Sequence, residues 1–402
     1  MPTVRASTSS NELDASVAGE IVPVSVPVLR GNEWTYLKAC LDTNWVSSAG
    51  PFVQRFEQTL TAYTGARYAV ATVNGTAALH IALLVAGVEP DDEVLVSTLT
   101  FIAPANAVRY VGAWPVFIDA EPVCWQMDPQ RVVEFLTQQC RWHEGKLLNR
   151  ATGRRITAML PVHLLGHPCD MEPILELARK YHLVVIEDAT ESLGATCRGT
   201  KVGHLGDIAC LSFNGNKIIT TGGGGMVLTD RAEWAERATY LTTQAKDDSE
   251  EYIHRAIGYN YRLTNLQAAL GCAQMEQLEE FIAIKRRIAA RYTQALAEIP
   301  GLTMMPEAAW AQSIFWIVTI LVDEALYGMN SRLLIGHLKA AGIQAQPLWQ
   351  PLHQSAAHHG AQACGGEVAD RLFRDAVRLP SSVNLTEAQQ ARVIESLRRR
   401  NM

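Results

Sequence analysis

The feature that most constrains the fold is a regular alternation of apolar, strand-like runs with helical stretches between residues 66 and 230. Seven runs have the character of strands, at 68–73, 93–97, 115–120, 156–163, 184–188, 208–214 and 225–230. Continuous apolar strands separated by helices of about ten to fifteen residues are typical of a mostly parallel sheet that is covered on both faces. The alternation therefore predicts an α/β fold whose large domain contains a mostly parallel, seven-stranded sheet.

The pattern changes after the last of these runs. A long helical stretch extends from Leu263 to Ile299, and a strand-like run at 315–323 and two more helices follow, near 331–341 and from Thr386. These features predict a smaller C-terminal α+β domain. The chain is accordingly divided into a flexible leader at 1–21, a large domain at 22–250, and a linking helix with the small domain at 251–402.

Composition argues against several classes of partner. The formal net charge is −6 and no basic stripe is present, so a nucleic-acid partner has no electrostatic support. The eight cysteines form no C-x-x-C pair, which argues against a disulfide framework or a zinc site and suits a reducing cytoplasm. No apolar run approaches the roughly eighteen residues that a membrane span needs, and the start of the chain shows no signal-peptide pattern. We therefore expect a cytoplasmic protein without a membrane or nucleic-acid partner.

The sharpest local feature is the segment SFNGNKIITTGGGG (212–225), in which Lys217 follows a strand and precedes four consecutive glycines. A lysine at the end of a strand is usually solvated, and the segment is also compatible with an ordinary loop between strands. A run of glycines, however, is costly in backbone entropy and is used where the chain bends tightly or approaches a ligand. Lys217 is therefore a candidate functional residue, although glycine runs alone indicate little.

A second segment, VNGTAALH (73–80), predicts an anion site. A strand turns through Asn74 and Gly75 into a helix, and the free amide groups at the helix start favour an anion together with the helix dipole. The hydroxyl of Thr76 can add a hydrogen bond. Asn-Gly turns before helices are common, so this segment alone indicates a phosphate site only weakly.

The third feature is Asp188, which closes the apolar strand of 184–188 at its carboxyl end. Ligand sites of open α/β sheets gather at such strand ends, although Asp188 could instead cap the following turn. Metal binding by Asp188 with Glu187 and Glu191 is conceivable, but a hard cation needs several more oxygen ligands than these supply.

Together these residues suit pyridoxal phosphate (PLP). This cofactor needs an amine for its aldehyde, a carboxylate for its pyridine nitrogen, an anion site for its phosphate and a surface for its ring. Lys217 supplies the amine, and Asp188 would keep the ring nitrogen protonated. The other candidate contacts are Gly75, Thr76 and Ser212 for the phosphate and Phe101 for the ring.

With these residues in place, the chain resembles the DegT/StrS family of PLP-dependent nucleotide-sugar aminotransferases, which have the aspartate-aminotransferase-like fold (PLP fold type I). The resemblance covers roughly residues 22–400 and rests on ordered segments at 44–57, 74–80, 100–108, 161–171, 186–195, 206–226, 258–271 and 347–353. So many motifs in one order along a whole chain make the resemblance specific.

The resemblance implies a role for each matching residue. The matches are Lys217 to the Schiff-base lysine, Asp188 to the partner of the pyridine nitrogen, Gly75, Thr76 and Ser212 to the phosphate contacts, Phe101 to the stacking aromatic, and His163 to a histidine near the cofactor. Asn260 matches an asparagine that reaches the phosphate from the neighbouring subunit. The resemblance therefore implies a homodimer with shared active sites.

The amino-acid sequences of the segments at 32–53, 187–194 and 212–225 are most similar to those of enzymes that aminate C4 of nucleotide-linked 4-keto-6-deoxy sugars. Such enzymes serve bacterial surface glycans, including the O-antigen of lipopolysaccharide, and the amino donor implied is L-glutamate. A UDP-linked N-acetyl sugar, as in bacillosamine or legionaminic acid synthesis, is our first expectation. A GDP-linked sugar, as in perosamine synthesis, is the alternative.

Two positions depart from the family's common pattern. Many members have glutamine where this chain has Glu191, beside the phenolic oxygen of the cofactor, and a carboxylate would repel a phenolate there unless it shared a proton. Many members also have Arg-Pro before the tryptophan motif, where this chain has Gln346 and Pro347. The missing arginine removes a possible bidentate contact to a substrate.

Other activities on the same fold are less compatible with these residues. Sugar dehydratases related to this family carry histidine in place of the lysine, so Lys217 favours amino transfer. A regulatory homologue that binds PLP without turnover is the remaining alternative, and the presence of Lys217, Asp188 and Asn260 argues against it. A nicotinamide oxidoreductase has no support, because no G-x-G-x-x-G segment opens a helix after a strand.

Overall fold

The computed structural model of the chain describes residues 21–248 and 250–399. The leader predicted at 1–21 lies outside these described residues except for Ile21. The helices are α1 (Glu33–Asp42), α2 (Pro51–Thr64), α3 (Gly75–Val85), α4 (Ala103–Tyr110), α5 (Pro129–Glu134), α6 (Met171–Tyr181), α7 (Ala232–Thr242), α8 (Asn265–Met275), α9 (Leu278–Leu296), α10 (Glu324–Tyr327), α11 (Ser331–Ala340), α12 (Glu367–Asp375) and α13 (Glu387–Arg398).

The strands form one large sheet and three smaller ones in the described part of the chain. They are β1 (Tyr68–Thr72), β2 (Glu93–Ser97), β3 (Trp114–Ile118), β4 (Cys140–His143), β5 (Lys146–Asn149), β6 (Ile156–Leu160), β7 (Val184–Asp188), β8 (Thr196–Cys197), β9 (Thr200–Lys201), β10 (Ile208–Ser212), β11 (Gly225–Thr229), β12 (Leu302–Met304), β13 (Ala311–Gln312), β14 (Thr319–Val322), β15 (Gln346–Pro347), β16 (Ala363–Cys364) and β17 (Ala376–Arg378).

The large sheet has the strand order β1-β11-β10-β7-β6-β2-β3-β16. The two pairings of β11, with β1 and with β10, are antiparallel and the other pairings of this sheet are parallel, so the sheet is mostly parallel, as predicted. Each of the seven runs expected from the sequence forms one of its strands. The eighth strand, β16, comes from the C-terminal part of the chain and has only two residues, which is too short to produce a sequence pattern. The α/β fold class is confirmed.

Alternate side chains of the central strands point to opposite faces of the large sheet, and helices cover both faces. Val94 and Val96 of β2 pack in an apolar cluster with α3, α4 and α7. Leu95, between them, packs on the other face with residues of α6 such as Ile174. Every residue of β2 is buried, because a parallel strand in the middle of such a sheet has no solvent face.

The register of the sheet brings three chain segments to one edge. Thr72 at the end of β1 and Ser212 at the end of β10 both face Gly225, the first residue of β11. A Cβ atom on Gly225 would lie 2.5 Å from the carbonyl oxygen of Asn74. This close approach explains why the glycine run ends where it does: the strand must pass directly beside the turn that leads into α3.

The C-terminal part of the chain contains a four-stranded antiparallel sheet with the order β12-β14-β17-β15. Apolar residues of α9, α11 and α13 pack on it, among them Tyr292, Leu338 and Leu397. The predicted α+β character of this part agrees with these elements. The exact domain boundaries stay a prediction.

The long helix predicted from Leu263 to Ile299 is wrong in one respect, because the structure has two helices there, α8 and α9, separated at Glu276 and Gln277. No glycine or proline marks the break. Both side chains instead hydrogen-bond to residues of α1, Glu276 to Tyr36 and Gln277 to Glu33. Tertiary contacts therefore determine the break, and helical periodicity alone could not reveal it.

Lys285 on α9 carries a buried amine that joins distant segments. Its Nζ donates a hydrogen bond to the carbonyl oxygen of Trp316 at 2.7 Å and another to that of Ser381. The residue is 3% exposed, and burial lowers the pKa of Lys285 to about 7 because desolvation disfavours the charged form. Lys285 thus fixes the backbone at residue 316 against α9.

We predict that the stabilising effect of Lys285 grows with pH. Its folded-state pKa of about 7 lies below the ordinary value of 10.5, so folding releases a proton between these values and stability rises across that window. The slope is at most about 1.4 kcal/mol per pH unit. The thermal midpoint of the wild type minus that of Lys285→Met should therefore be larger at about pH 9.5 than at about pH 7.5. A difference in midpoint that is the same at both values would contradict this.

Candidate active site

A cavity of about 460 Å³ lies at the carboxyl ends of β7 and β10, beside the start of α3. Its walls come from both parts of the chain. The lining residues are Asn74, Gly75, Thr76, Leu79, Thr100, Phe101, Ala103, Pro104, Asp188, Thr190, Glu191, Ser212, Asn214, Asn216, Lys217, Trp316, Gln346, Trp349 and Arg378. The structure therefore brings together Lys217, Asp188, Glu191 and the predicted phosphate contacts, which are far apart in the sequence.

Lys217 lies in the turn that follows β10, where its backbone N–H donates to the carbonyl oxygen of Asn214 at 3.0 Å. The side chain is mostly buried, with 13% exposed. Its Nζ lies 3.7 Å from Oε1 of Glu191 and 4.3 Å from the centre of the Trp316 ring. The indole N–H of Trp316 donates to the carbonyl oxygen of Asn216 at 2.8 Å, so the aromatic surface and the lysine turn are held together.

Asp188 is the last residue of β7 and is almost fully buried. Its Oδ1 accepts a hydrogen bond from the backbone N–H of Thr190 at 3.1 Å. Burial raises the pKa of Asp188, because removing the carboxylate from water disfavours its charge, and the nearby Lys217 opposes this effect. A buried carboxylate that opens onto a cavity is suited to a cationic group of a ligand.

The start of α3 also lines the cavity. The side chain of Asn74 accepts a hydrogen bond from the backbone N–H of Ala77 at 2.7 Å and so caps the helix. The amides of Gly75 and Thr76 lie in the first turn, where the helix dipole favours an anion. Ser212 packs so closely that a Cβ atom on Gly75 would lie 2.7 Å from its Cβ. The two elements together form a narrow anion cradle.

Glu191 occupies one of the two positions at which the chain departs from the common family pattern. It is 4% exposed, and its Oε2 accepts a hydrogen bond from the backbone N–H of Leu165 at 2.9 Å. Burial raises the pKa of Glu191, and the charges of Lys217 and Arg378 lower it. The carboxyl group therefore interacts with two cations of the cavity.

Phe101 lines the cavity with a side chain that is 54% exposed, so a ring face is available. His163 does not line it within the described residues. The His163 ring is fully buried, with Nε2 3.0 Å from Oε2 of Glu187, and its backbone N–H donates to the carbonyl oxygen of Asp188 at 3.0 Å. His163 thus supports the end of β7.

Asn260 does not line the cavity within the described residues either. It is exposed and forms an isolated antiparallel bridge with Thr243. Asn260 is expected to contact the phosphate bound by a neighbouring subunit. Both this contact and the homodimer therefore stay predictions.

Several residues of the cavity were not predicted from the sequence. Trp316 lies at the start of a strand-like run that had no visible link to Lys217. Arg378 ends the short strand β17, and no local pattern distinguishes it from other arginines. Both come from the C-terminal part of the chain, and only the folded arrangement places them beside residues 74–76 and 188.

The cavity suits PLP in its chemistry. Lys217 presents an amine inside a mostly buried space, Asp188 a buried carboxylate, and the Gly75–Thr76 turn an anion cradle in which a side chain at position 75 would collide with Ser212. These three groups are the ones that the aldehyde, the pyridine nitrogen and the phosphate of PLP require. Phe101 and Trp316 add aromatic surface.

Known proteins are similar to this chain over almost its whole length. The family model for the DegT/DnrJ/EryC1/StrS aminotransferases matches residues 27–398. The chain belongs to this family. It is 40% identical over 377 residues to the GDP-perosamine synthase of Caulobacter vibrioides, covering 94% of this chain and 97% of that protein. It is 38% identical over 376 residues to the GDP-perosamine synthase of Escherichia coli O157:H7, covering 94% and 97%.

A solved structure supports the same assignment. The crystal structure of DesI, determined in the presence of its TDP-sugar product, has a TM-score of 0.83 at 29% identity, covering 94% of this chain and 92% of that chain. This protein is therefore a PLP-dependent sugar aminotransferase of the family, and the predictions of family, fold, enzyme class and cofactor are confirmed. None of the helices that the structure describes has the length and apolar character needed to cross a membrane.

The cradle at Gly75 leads to a prediction on cofactor affinity. In Gly75→Ala the new Cβ would lie 2.7 Å from Cβ of Ser212, so the first turn of α3 or the end of β10 must shift. Overpacking of about 1–3 kcal/mol should weaken PLP binding about 5- to 150-fold, as measured by titrating the apoenzyme with PLP and following the visible absorbance.

The matched control for this variant is Gly336→Ala on α11, where an added Cβ meets no atom within 4 Å. This control should bind PLP as the wild type does. Equal PLP affinity of Gly75→Ala and the wild type would contradict the role of the cradle.

Proposed function

We propose that the protein transfers an amino group from L-glutamate to C4 of a GDP-linked 4-keto-6-deoxy sugar, for the synthesis of a bacterial surface glycan such as O-antigen. The observation that carries the proposal is the convergence of Lys217, Asp188 and the anion cradle in one cavity, in a chain that relatives named GDP-perosamine synthase match over almost its whole length. The names of these relatives favour the GDP-linked alternative over our first expectation of a UDP-linked sugar.

The two substrates would use the cavity in turn. PLP, when bound, supplies an aldehyde that exchanges amines and a ring that accepts electrons from the bond being broken. The Lys217 Nζ would act as general base and remove the proton from Cα of the amino donor. In the second half of the cycle the same Nζ would deliver a proton to C4 of the sugar. Its depth in the cavity limits the access of water during both transfers.

The surrounding residues would prepare Lys217 and the cofactor for these transfers. Glu191, 3.7 Å from the Lys217 Nζ, would hold the ammonium group after proton removal. Asp188 would keep the pyridine nitrogen protonated, so that negative charge on the ring is stabilised where it develops. Gly75, Thr76 and Ser212 would bind the phosphate, and Phe101 would stack on the ring.

Asn260 is exposed and would reach the phosphate of the neighbouring subunit. The active unit would then be a homodimer, with each site completed by its partner.

The role of Lys217 is tested by its removal. Lys217→Ala should lose the visible absorbance band of the bound imine and at least about 10⁴-fold in turnover, since both nucleophile and base are lost. Lys339→Ala, at an exposed position on α11, is the matched control and should keep both properties. A Lys217→Ala enzyme with full activity would overturn the proposed mechanism.

The sugar nucleotide is tested by direct competition. With L-glutamate as donor, kcat/KM should be at least about tenfold higher for a GDP-linked 4-keto-6-deoxy sugar than for UDP- and TDP-linked ones, which corresponds to about 1.4 kcal/mol of differential binding. Product formation by mass spectrometry is the measurement. A preference for the UDP-linked sugar would return the assignment to the first expectation.

A further inference from the structure

Arg378 is a cationic side chain of the cavity to which the mechanism above gives no role. It is the last residue of β17, it is half-buried, and it lines the cavity together with Gln346 and Trp349. An arginine is almost always charged in a protein, and burying its charge is costly unless an anion compensates it. Its surroundings therefore indicate what it binds.

Arg378 is held in position by neutral groups. Its Nε donates to the carbonyl oxygen of Pro347 at 2.9 Å and its Nη2 to Oε1 of Gln346 at 2.9 Å. The guanidinium carbon lies 4.6 Å from the centre of the Trp349 ring. Within residues 21–248 and 250–399, no hydrogen-bond acceptor contacts its Nη1 and no carboxylate lies within ion-pair distance. The Nη1 edge of the Arg378 guanidinium is thus available to a ligand.

The nearest compensating charge in the cavity is that of Glu191, which interacts with Arg378 electrostatically without a direct ion pair. Glu191 is also 3.7 Å from the Lys217 Nζ. The cavity therefore holds two cations, Lys217 and Arg378, and two carboxylates, Glu191 and Asp188. Within residues 21–248 and 250–399, the charge of Arg378 is not neutralised by a direct ion pair.

The position of Arg378 is related to the missing arginine at 346. In the antiparallel pair of β15 and β17, Gln346 lies directly opposite Arg378, and Cβ atoms in such pairs are about 4.5–5.5 Å apart. A long side chain from either strand can therefore place its guanidinium in the same space. This chain has glutamine at 346 and arginine at 378, and the two side chains are hydrogen-bonded to each other.

We propose that Arg378 supplies, from the neighbouring strand, the guanidinium that position 346 lacks, and that it binds an oxyanion of a substrate. The donor's carboxylate and the diphosphate of the sugar nucleotide share this chemistry, since both accept paired hydrogen bonds from an arginine. The proposal rests on the proposed function, which places both substrates in this cavity. It adds a residue that determines substrate affinity.

The test separates the two half-reactions in the holoenzyme. Arg378→Gln is mixed with increasing L-glutamate, and the loss of the visible band gives an apparent dissociation constant and a limiting rate. The second half-reaction is measured with the cofactor in its amine form and the GDP-linked keto sugar. Loss of one charge-assisted contact should raise one of the two apparent constants about 10–100-fold, with the limiting rate changed less than about threefold.

Three variants sharpen the test. Arg378→Lys keeps the charge without the planar fork and should lose part of the affinity. Adding Gln346→Arg to Arg378→Gln should recover most of it, because the guanidinium returns to the same space. Arg374→Gln, an exposed arginine that is paired with Asp375, should leave both constants unchanged.

Each outcome decides the proposal. A weaker affinity for glutamate identifies the carboxylate as the ligand, and a weaker affinity for the sugar nucleotide identifies the diphosphate. Unchanged constants in both half-reactions, or a double variant that recovers nothing, would overturn the proposal. The visible absorbance band reports separately on Lys217. Its absence from the wild type would refute the proposed function, whereas unchanged constants in variants that keep the band would overturn only the role of Arg378.

Discussion

The structure depends on the alignment of strand ends at one edge of the large sheet. Because β7 and β10 are parallel and β11 pairs with both β10 and β1, the residues at 72, 188, 212 and 225 meet at that edge. The first turn of α3 and the buried carboxylate of Asp188 then line the same cavity. An anion site and a carboxylate in one cavity are what a cofactor with a phosphate and a protonated ring nitrogen requires.

The C-terminal part of the chain completes this site. Trp316 and Trp349 stack with ring centres 6.5 Å apart and planes inclined by 9°. Lys217 lies over the first ring and Arg378 over the second. The buried amine of Lys285 bonds to the backbone of residue 316, so α9 fixes the aromatic wall. The proposed cofactor contacts lie mainly at strand ends of the large sheet and the proposed substrate contact in the C-terminal sheet, an arrangement in which the second set can vary while the first is kept.

Much of this arrangement could be predicted from the sequence. The seven apolar runs predicted the strands because a parallel sheet buries both faces, and Lys217, Asp188 and Gly75 lay at recognisable strand and helix ends. The two-residue strand β16 and the break between α8 and α9 could not be predicted, since tertiary contacts alone determine them. Arg378 was missed for a related reason: its function depends on the residue opposite to it in another strand, which has no signature in local sequence.

The central claim is that Lys217 carries the cofactor in the cavity formed by Asp188 and α3. Borohydride reduction of the purified holoenzyme, followed by proteolysis and mass spectrometry, tests it most directly, because reduction converts the imine into a stable bond at the lysine that formed it. We expect the reduced cofactor on the peptide that contains Lys217 and on no other lysine peptide. A cofactor found on another lysine, such as the buried Lys285, or on none, would contradict the account.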